Sequence, residues 1–125
     1  AIDGRLYAVG GRVDGDYSRN LASNEAYHPA TGRWEQRAPM PTVRSGIAAV
    51  VLEGRMFVLG GEAPTGTFNQ TEAYDAGSNA WSNHARMPTA RHGLGAVAVA
   101  GKIYVISGGP TPGASASVAN EIFVP

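Results

Sequence analysis

The chain has 125 residues, 43% hydrophobic and 16% charged, which is the balance of a folded domain with one core rather than of a disordered segment. Ten basic residues stand against ten acidic ones, so there is no net field to support binding to nucleic acid or to an anionic membrane surface. With no cysteine there are no disulfides, no thiol catalysis and no cysteine-ligated metal; the opening residues lack the pattern of a signal peptide, and no apolar run approaches the roughly eighteen residues of a membrane span, so a soluble chain of undetermined compartment is expected.

In chain order, "DGRLYAVGG" drives a β-branched and aromatic run into Gly10 and Gly11, and the turn-rich "RVDGDYSRNLAS" (12–23) follows. "NEAYHPATGRW" (24–34) carries Tyr27 and Trp34 and leads to Met40, Pro41 and Arg44. The next four segments read as four short strands. "SGIAAVVL" (45–52) is continuously apolar, "RMFVLG" (55–60) is β-branched and stops on Gly60 and Gly61, "TEAYD" (71–75) alternates, and "WSNHAR" (81–86) is polar. Between the second and third lies "EAPTGTFNQ" (62–70). Beyond Arg91 come an apolar strand, "KIYVISGG" ending on Gly108 and Gly109, the loop "PTPGASASVA" (110–119) and "NEIFVP" (120–125). Glu53-Gly54 and Ala100-Gly101 suit two-residue hairpins, and Gly77-Ser78-Asn79 a third. No helical apolar stripe is sustained, so the fold class is all-β.

These segments repeat. At an offset of 47, Glu25 meets Glu72, Tyr27 meets Tyr74, Trp34 meets Trp81, Met40-Pro41 meets Met87-Pro88, Arg44 meets Arg91, and Gly54 meets Gly101, with one residue of slack before the third glycine pair. The chain is thus about two and a half copies of one unit: 1–43 with strands two to four, 44–90 complete, and 91–125 with strands one to three. The gradient from apolar first strand to polar fourth strand places the first at a buried inner edge, as in blades that radiate from an axis.

The glycine pair after an aliphatic strand, the tyrosine and tryptophan seven residues apart, and Met-Pro with Arg before the next apolar strand together resemble the kelch repeat over essentially the whole chain. The resemblance implies a segment of a β-propeller built from four-stranded antiparallel blades, with the first and last blades incomplete. It also implies a binding platform, as most of that family are, with enzymes a minority. Three arrangements reconcile the count with a closed ring: a piece of a longer chain, a half whose last blade is closed by a strand from elsewhere, or a half-propeller that closes as a six-bladed homodimer.

A four-stranded meander places the end of strand two, the start of strand three and the start of strand one on the same face, and all the unequal loops belong there. Binding residues concentrate on loops held by a rigid scaffold. The candidates for ligand contact are therefore Arg12, Tyr17, Arg19, Glu62, Phe68 and Asn69 from the loops, with Arg44, Ser45, Arg91 and His92 just before the innermost strands. Arg44 and Arg91 admit two readings. They pair with acidic neighbours or donate to carbonyls of the next blade, or they ring a channel mouth and take an acidic group in bidentate fashion, as the resemblance implies. The expected partner is a protein or a small acidic or carbohydrate ligand.

Other features read as architecture. The pairs Gly10-Gly11, Gly60-Gly61 and Gly108-Gly109 permit a sharp bend and close approach of a neighbouring strand rather than cradling phosphate. Tyr27, Trp34, Tyr74 and Trp81 recur in register and read as packing between blades. Glu25, Glu72 and Glu121 recur too and should answer a backbone donor or an arginine. His28 and His84 belong to outer strands and are expected to be solvated; with His92 they are too dispersed for a metal site, and Asp14-Gly15-Asp16 lacks the remaining ligands of a calcium loop. No catalytic residue and no cofactor is assigned: the nucleophile elbow, the zinc-protease motif and the P-loop spacing are all missing, and a copper radical oxidase would need a cysteine. The alternative enzyme reading, a sugar-ring isomerase like the kelch-fold mutarotases, would draw on Arg44, Arg91 and Glu62.

Overall fold

Each apolar run becomes a strand, and each turn signal a hairpin, in a computed structural model that describes residues 1–125. It contains fourteen strands and no helix. Three antiparallel meanders form three blades. The first holds β1 (Leu6–Val9), β4 (Asn24–His28) and β5 (Arg33–Gln36) in that spatial order. The second is complete, with β6 (Ala48–Leu52), β7 (Arg55–Leu59), β10 (Thr71–Asp75) and β11 (Ala80–Asn83) side by side. The third holds β12 (Gly95–Val99), β13 (Lys102–Ile106) and β14 (Asn120–Phe123). The long loops are not featureless, as the sequence suggests: β2 (Arg12–Val13) pairs with β3 (Asp16–Asn20), and β8 (Glu62–Ala63) with β9 (Gly66–Thr67).

Period-two alternation decides what each blade faces. On β7 and β10, Met56, Val58 and Tyr74 point to the first blade and gather with Met40, Tyr7, Val9 and Trp81. Phe57, Leu59 and Ala73, one residue out of phase, point to the third blade and gather with Met87, Leu94, Ile103 and Val105. The complete blade thus has a core on each side, and burying a side chain such as Phe57 contributes about 1.5–3 kcal/mol. The two central strands, β7 and β10, are the most enclosed, and of the two edges the inner β6 is more buried than the polar outer β11, as the gradient along the unit predicts.

Of the recurring aromatics, Tyr74 and Trp81 pack between blades. Tyr74 lies 5.2 Å from Trp81, whose indole N–H donates to the Ala38 carbonyl of the first blade at 2.8 Å. Tyr27 and Trp34 repeat the stack at 5.2 Å, but on the far side of the first blade, where Trp34 stays 55% exposed. His84 departs from the expectation of a solvated side chain. Its ring sits 5.2 Å from Phe57 and 6.0 Å from Phe123, and burial, aided by the charge of Arg55, holds its pKa below the usual histidine value.

Glycine does its work where blades meet. A Cβ on Gly60, at φ 66°, would collide with the Arg91 carbonyl oxygen and lie 3.0 Å from Leu94, and the neighbouring Gly61 N–H donates to that same carbonyl at 2.8 Å. The third glycine pair is one residue out of step with the sequence reading. Ser107, at φ 57°, takes the place of Gly60, as its N–H bonded to Ala119 mirrors Gly60 bonded to Gln70. The 47-residue offset therefore continues without slack through this strand, and Gly109 stands where Glu62 stands, each bridged to the residue after the arginine. The third hairpin differs too: Asn79, not Gly77, adopts the positive φ, at 53°.

Two outcomes are expected in urea denaturation. Gly60→Ala should cost more than about 3 kcal/mol, because backbone rather than a movable side chain blocks the added methyl, while Ser107→Gly should add roughly 0.5–1 kcal/mol by relieving a left-handed serine. A group that stays neutral more readily when folded than unfolded costs stability once the pH falls below its ordinary value, here about 6.5. Stability should thus decline on acidification from that point, and His84→Leu should flatten this part of the profile.

Candidate functional site

The side chains at the long-loop face are built from the arginines upward. Arg44 has no exposed surface; it donates to Glu72 Oε2 at 3.0 Å and to the Val58 carbonyl at 3.1 Å, and the Thr42 hydroxyl caps the other carboxylate oxygen. Burial pulls the guanidinium pKa down, and the Glu72 carboxylate pulls the other way. Arg91 repeats the arrangement on Glu121 at 2.8 Å, with the carbonyls of Ser107 at 2.6 Å and Ala119 at 3.1 Å. For Glu121, burial alone would raise the pKa, but hydrogen bonds from Thr89 and Arg91 outweigh it and hold the carboxyl below its usual value. The carbonyls that the terminal guanidinium nitrogens bind belong to the same blade as the arginine, not to the next. Arg44 and Arg91 are thus enclosed and paired with acidic side chains, the first of the two readings of them. Ser45 is enclosed as well, 1% exposed, and donates its hydroxyl to Asn20.

One residue from the loops draws the three blades together. Glu62 is 3% exposed. Its Oε1 accepts from Arg12 of the first blade at 2.7 Å and lies 3.3 Å from His92 Nδ1 of the third, while its Oε2 accepts the Gly113 N–H at 2.8 Å. Its main chain is equally engaged, with the carbonyl accepting from the Asn20 amide at 2.7 Å and the N–H donating to Ser45 at 2.8 Å. Burial would raise this carboxyl, yet Gly113, Arg12 and His92 together hold it below the ordinary glutamate value. Glu62 is thus an enclosed anion rather than a group that faces a ligand.

The remaining candidates line the rim in varied states. Arg12 rests against the Tyr17 ring at 5.6 Å. Arg19 is exposed and pairs at 2.7 Å with Asp14 of its own loop. His92 turns Nε2 toward the Thr111 carbonyl at 3.0 Å. Phe68 and Asn69 are half-buried, and their carbonyls accept from Arg91 and Met87, so they seat the loop on the linker between blades. Asn20, Thr111 and Gly113 were not among the sequence candidates. Nothing local distinguishes them, since each acts through a partner 19 to 51 residues away. No group of three or more histidine or acidic side chains converges in a geometry that would hold a metal ion.

Comparison with known proteins agrees with this architecture. The family model described as Kelch motif matches residues 1–41 and 44–88. Over 60 residues, 48% of the chain, it is 43% identical to Beta-scruin of Limulus polyphemus, and over 68 residues, 54% of the chain, 40% identical to Kelch-like protein 33 of Homo sapiens. Kelch-like ECH-associated protein 1B of Danio rerio is 36% identical over 56 residues, 45% of the chain. The matched regions span 6%, 12% and 9% of those three proteins.

The enclosed ion pair sets a plain expectation. Arg44→Ala should destabilise the fold by about 3–5 kcal/mol, because it strands the Glu72 carboxylate in the interior. Chemical denaturation of this variant measures it, and Arg19→Ala, which removes an exposed pair, should stay within about 1 kcal/mol of the parent protein.

Proposed function

Because the chain belongs to the kelch-repeat family, we propose that its long-loop face is a surface for binding another protein. The observation that carries this reading is the convergence of the three non-repeating loops on Glu62: blades that are alike everywhere else present, on one face, loops that differ and are locked to one another. Loops on a rigid scaffold are where recognition residues concentrate. Among the relatives, one carries a name that records its association with another protein, ECH.

The charge state of the face favours a mixed polar and aromatic partner over a purely acidic one. Arg44 and Arg91 are enclosed and Arg12 is held by the enclosed Glu62, which leaves Arg19, paired only with the exposed Asp14, as the accessible cation on the strand that carries Tyr17. A peptide or protein loop that stacks on Tyr17 and accepts from Arg19 fits this arrangement. The sugar-isomerase alternative would need Arg44, Arg91 and Glu62 at the substrate, and none of the three has surface to offer.

Selection of displayed dodecapeptides against the protein tests the reading. Selected peptides should lose about 1–3 kcal/mol of binding in Tyr17→Ala and in Arg19→Ala, with thermal stability unchanged. Binding that ignores both substitutions but disappears on altering the opposite hairpins, for instance with Glu53→Lys, would overturn it.

A further inference from the structure

Glu62 stands at a position where the third blade has glycine, so the repeat supplies no architectural reason for a carboxylate there. All four of its polar atoms are bonded, to residues from all three blades. The residues it holds are those of the rim. Arg12 is clamped beside Tyr17, and the third-blade loop is fastened at Gly113, which is tied on through Thr111 to His92.

We propose that Glu62 is the positioning residue of the long-loop face: it holds the Arg12 side chain and the loop 110–119 in the arrangement a partner would meet, without meeting the partner itself. The proposal deepens the binding-surface reading and rests on it. The chemistry requires a carboxylate. Oε1 takes Arg12 and lies beside His92, while Oε2 takes the Gly113 N–H, so donors approach from two directions. A glutamine has one acceptor oxygen. Whichever way its amide is turned, an NH₂ group faces either the guanidinium or the Gly113 N–H, and one of the two is released. The other charged or titratable groups at this carboxylate are Arg12 from β2 and His92 from the start of the third blade; Gly113 adds a backbone dipole from the loop, and Asn20 of β3 and Ser45 add neutral bonds to the main chain.

Amide hydrogen exchange of the protein without any partner provides the test, with Gly113 read against Phe57 in β7 as a reference for global opening. In Glu62→Gln, protection of Gly113 should fall at least tenfold relative to Phe57, and Glu62→Asp, which keeps both oxygens, should recover part of it. The parent protein supplies an arm that does not depend on any variant folding. With intrinsic rates corrected, Gly113 protection should hold level from pH 7 to pH 5. It should be lost only as the pH falls below the ordinary glutamate value of about 4.5, because its partners favour the ionised carboxyl. Equal Gly113 protection in Glu62→Gln and the parent protein, or protection in the parent that is unmoved down to pH 3, would overturn the proposal. Both readouts report loop order with no ligand present, so a failure to select any peptide would count against the binding-surface reading alone.

Discussion

The arginine that precedes each innermost strand carries a charge into the interior, and the geometry of the blades follows from how that charge is answered. Its side chain ties the third strand to the second, by way of Glu72 and the Val58 carbonyl for Arg44 and of Glu121 and Ser107 for Arg91. Its main chain reaches the blade before. The Arg91 carbonyl accepts from Gly61, and the Arg44 carbonyl lies where any side chain on Gly10 would have to go. An ionised group without surface is tolerated only when paired and hydrogen-bonded, so the carboxylate, the carbonyls and the glycines are required together.

That requirement also places the rim. Because the arginine is fixed, the residue after it is fixed, and Ser45 and His92 stand beside Glu62 of the loops. Ser45 then receives the Glu62 N–H, and His92 approaches the Glu62 carboxylate. The recurring scaffold thus ends where the non-recurring contacts begin. Apolar packing does the rest, with Met56 and Val58 closing one side of the complete blade and Phe57 and Leu59 the other.

Much of this was legible in the residues. The 47-residue offset, the apolar runs and the turn dipeptides identify three meanders, and the tyrosine and tryptophan spacing marks the face that packs on a neighbour. Three things were not legible, for distinct reasons. Matching by identity aligned glycine with glycine, but backbone conformation is what recurs, and Ser107 adopts a glycine's φ without resembling one. The hairpins β2–β3 and β8–β9 have strands as short as two residues, too short to show an alternation. Exposure was the third. Arg44 and Arg91 read either as partners of acidic neighbours or as rim contacts, and Ser45 and Glu62 as rim residues; only the folded chain shows all four enclosed, each bonded to a partner remote in sequence.

By itself, the sequence determined the class of fold, the number of meanders and the face on which the unequal loops lie, since these follow from periodicity and turn chemistry, which act over a few residues. Tertiary structure alone decided which polar side chains are enclosed and paired and which stay exposed. The physical reason is that burial and pairing are relations between distant segments: whether an arginine is a ligand contact or an internal support depends on a carboxylate some thirty residues away.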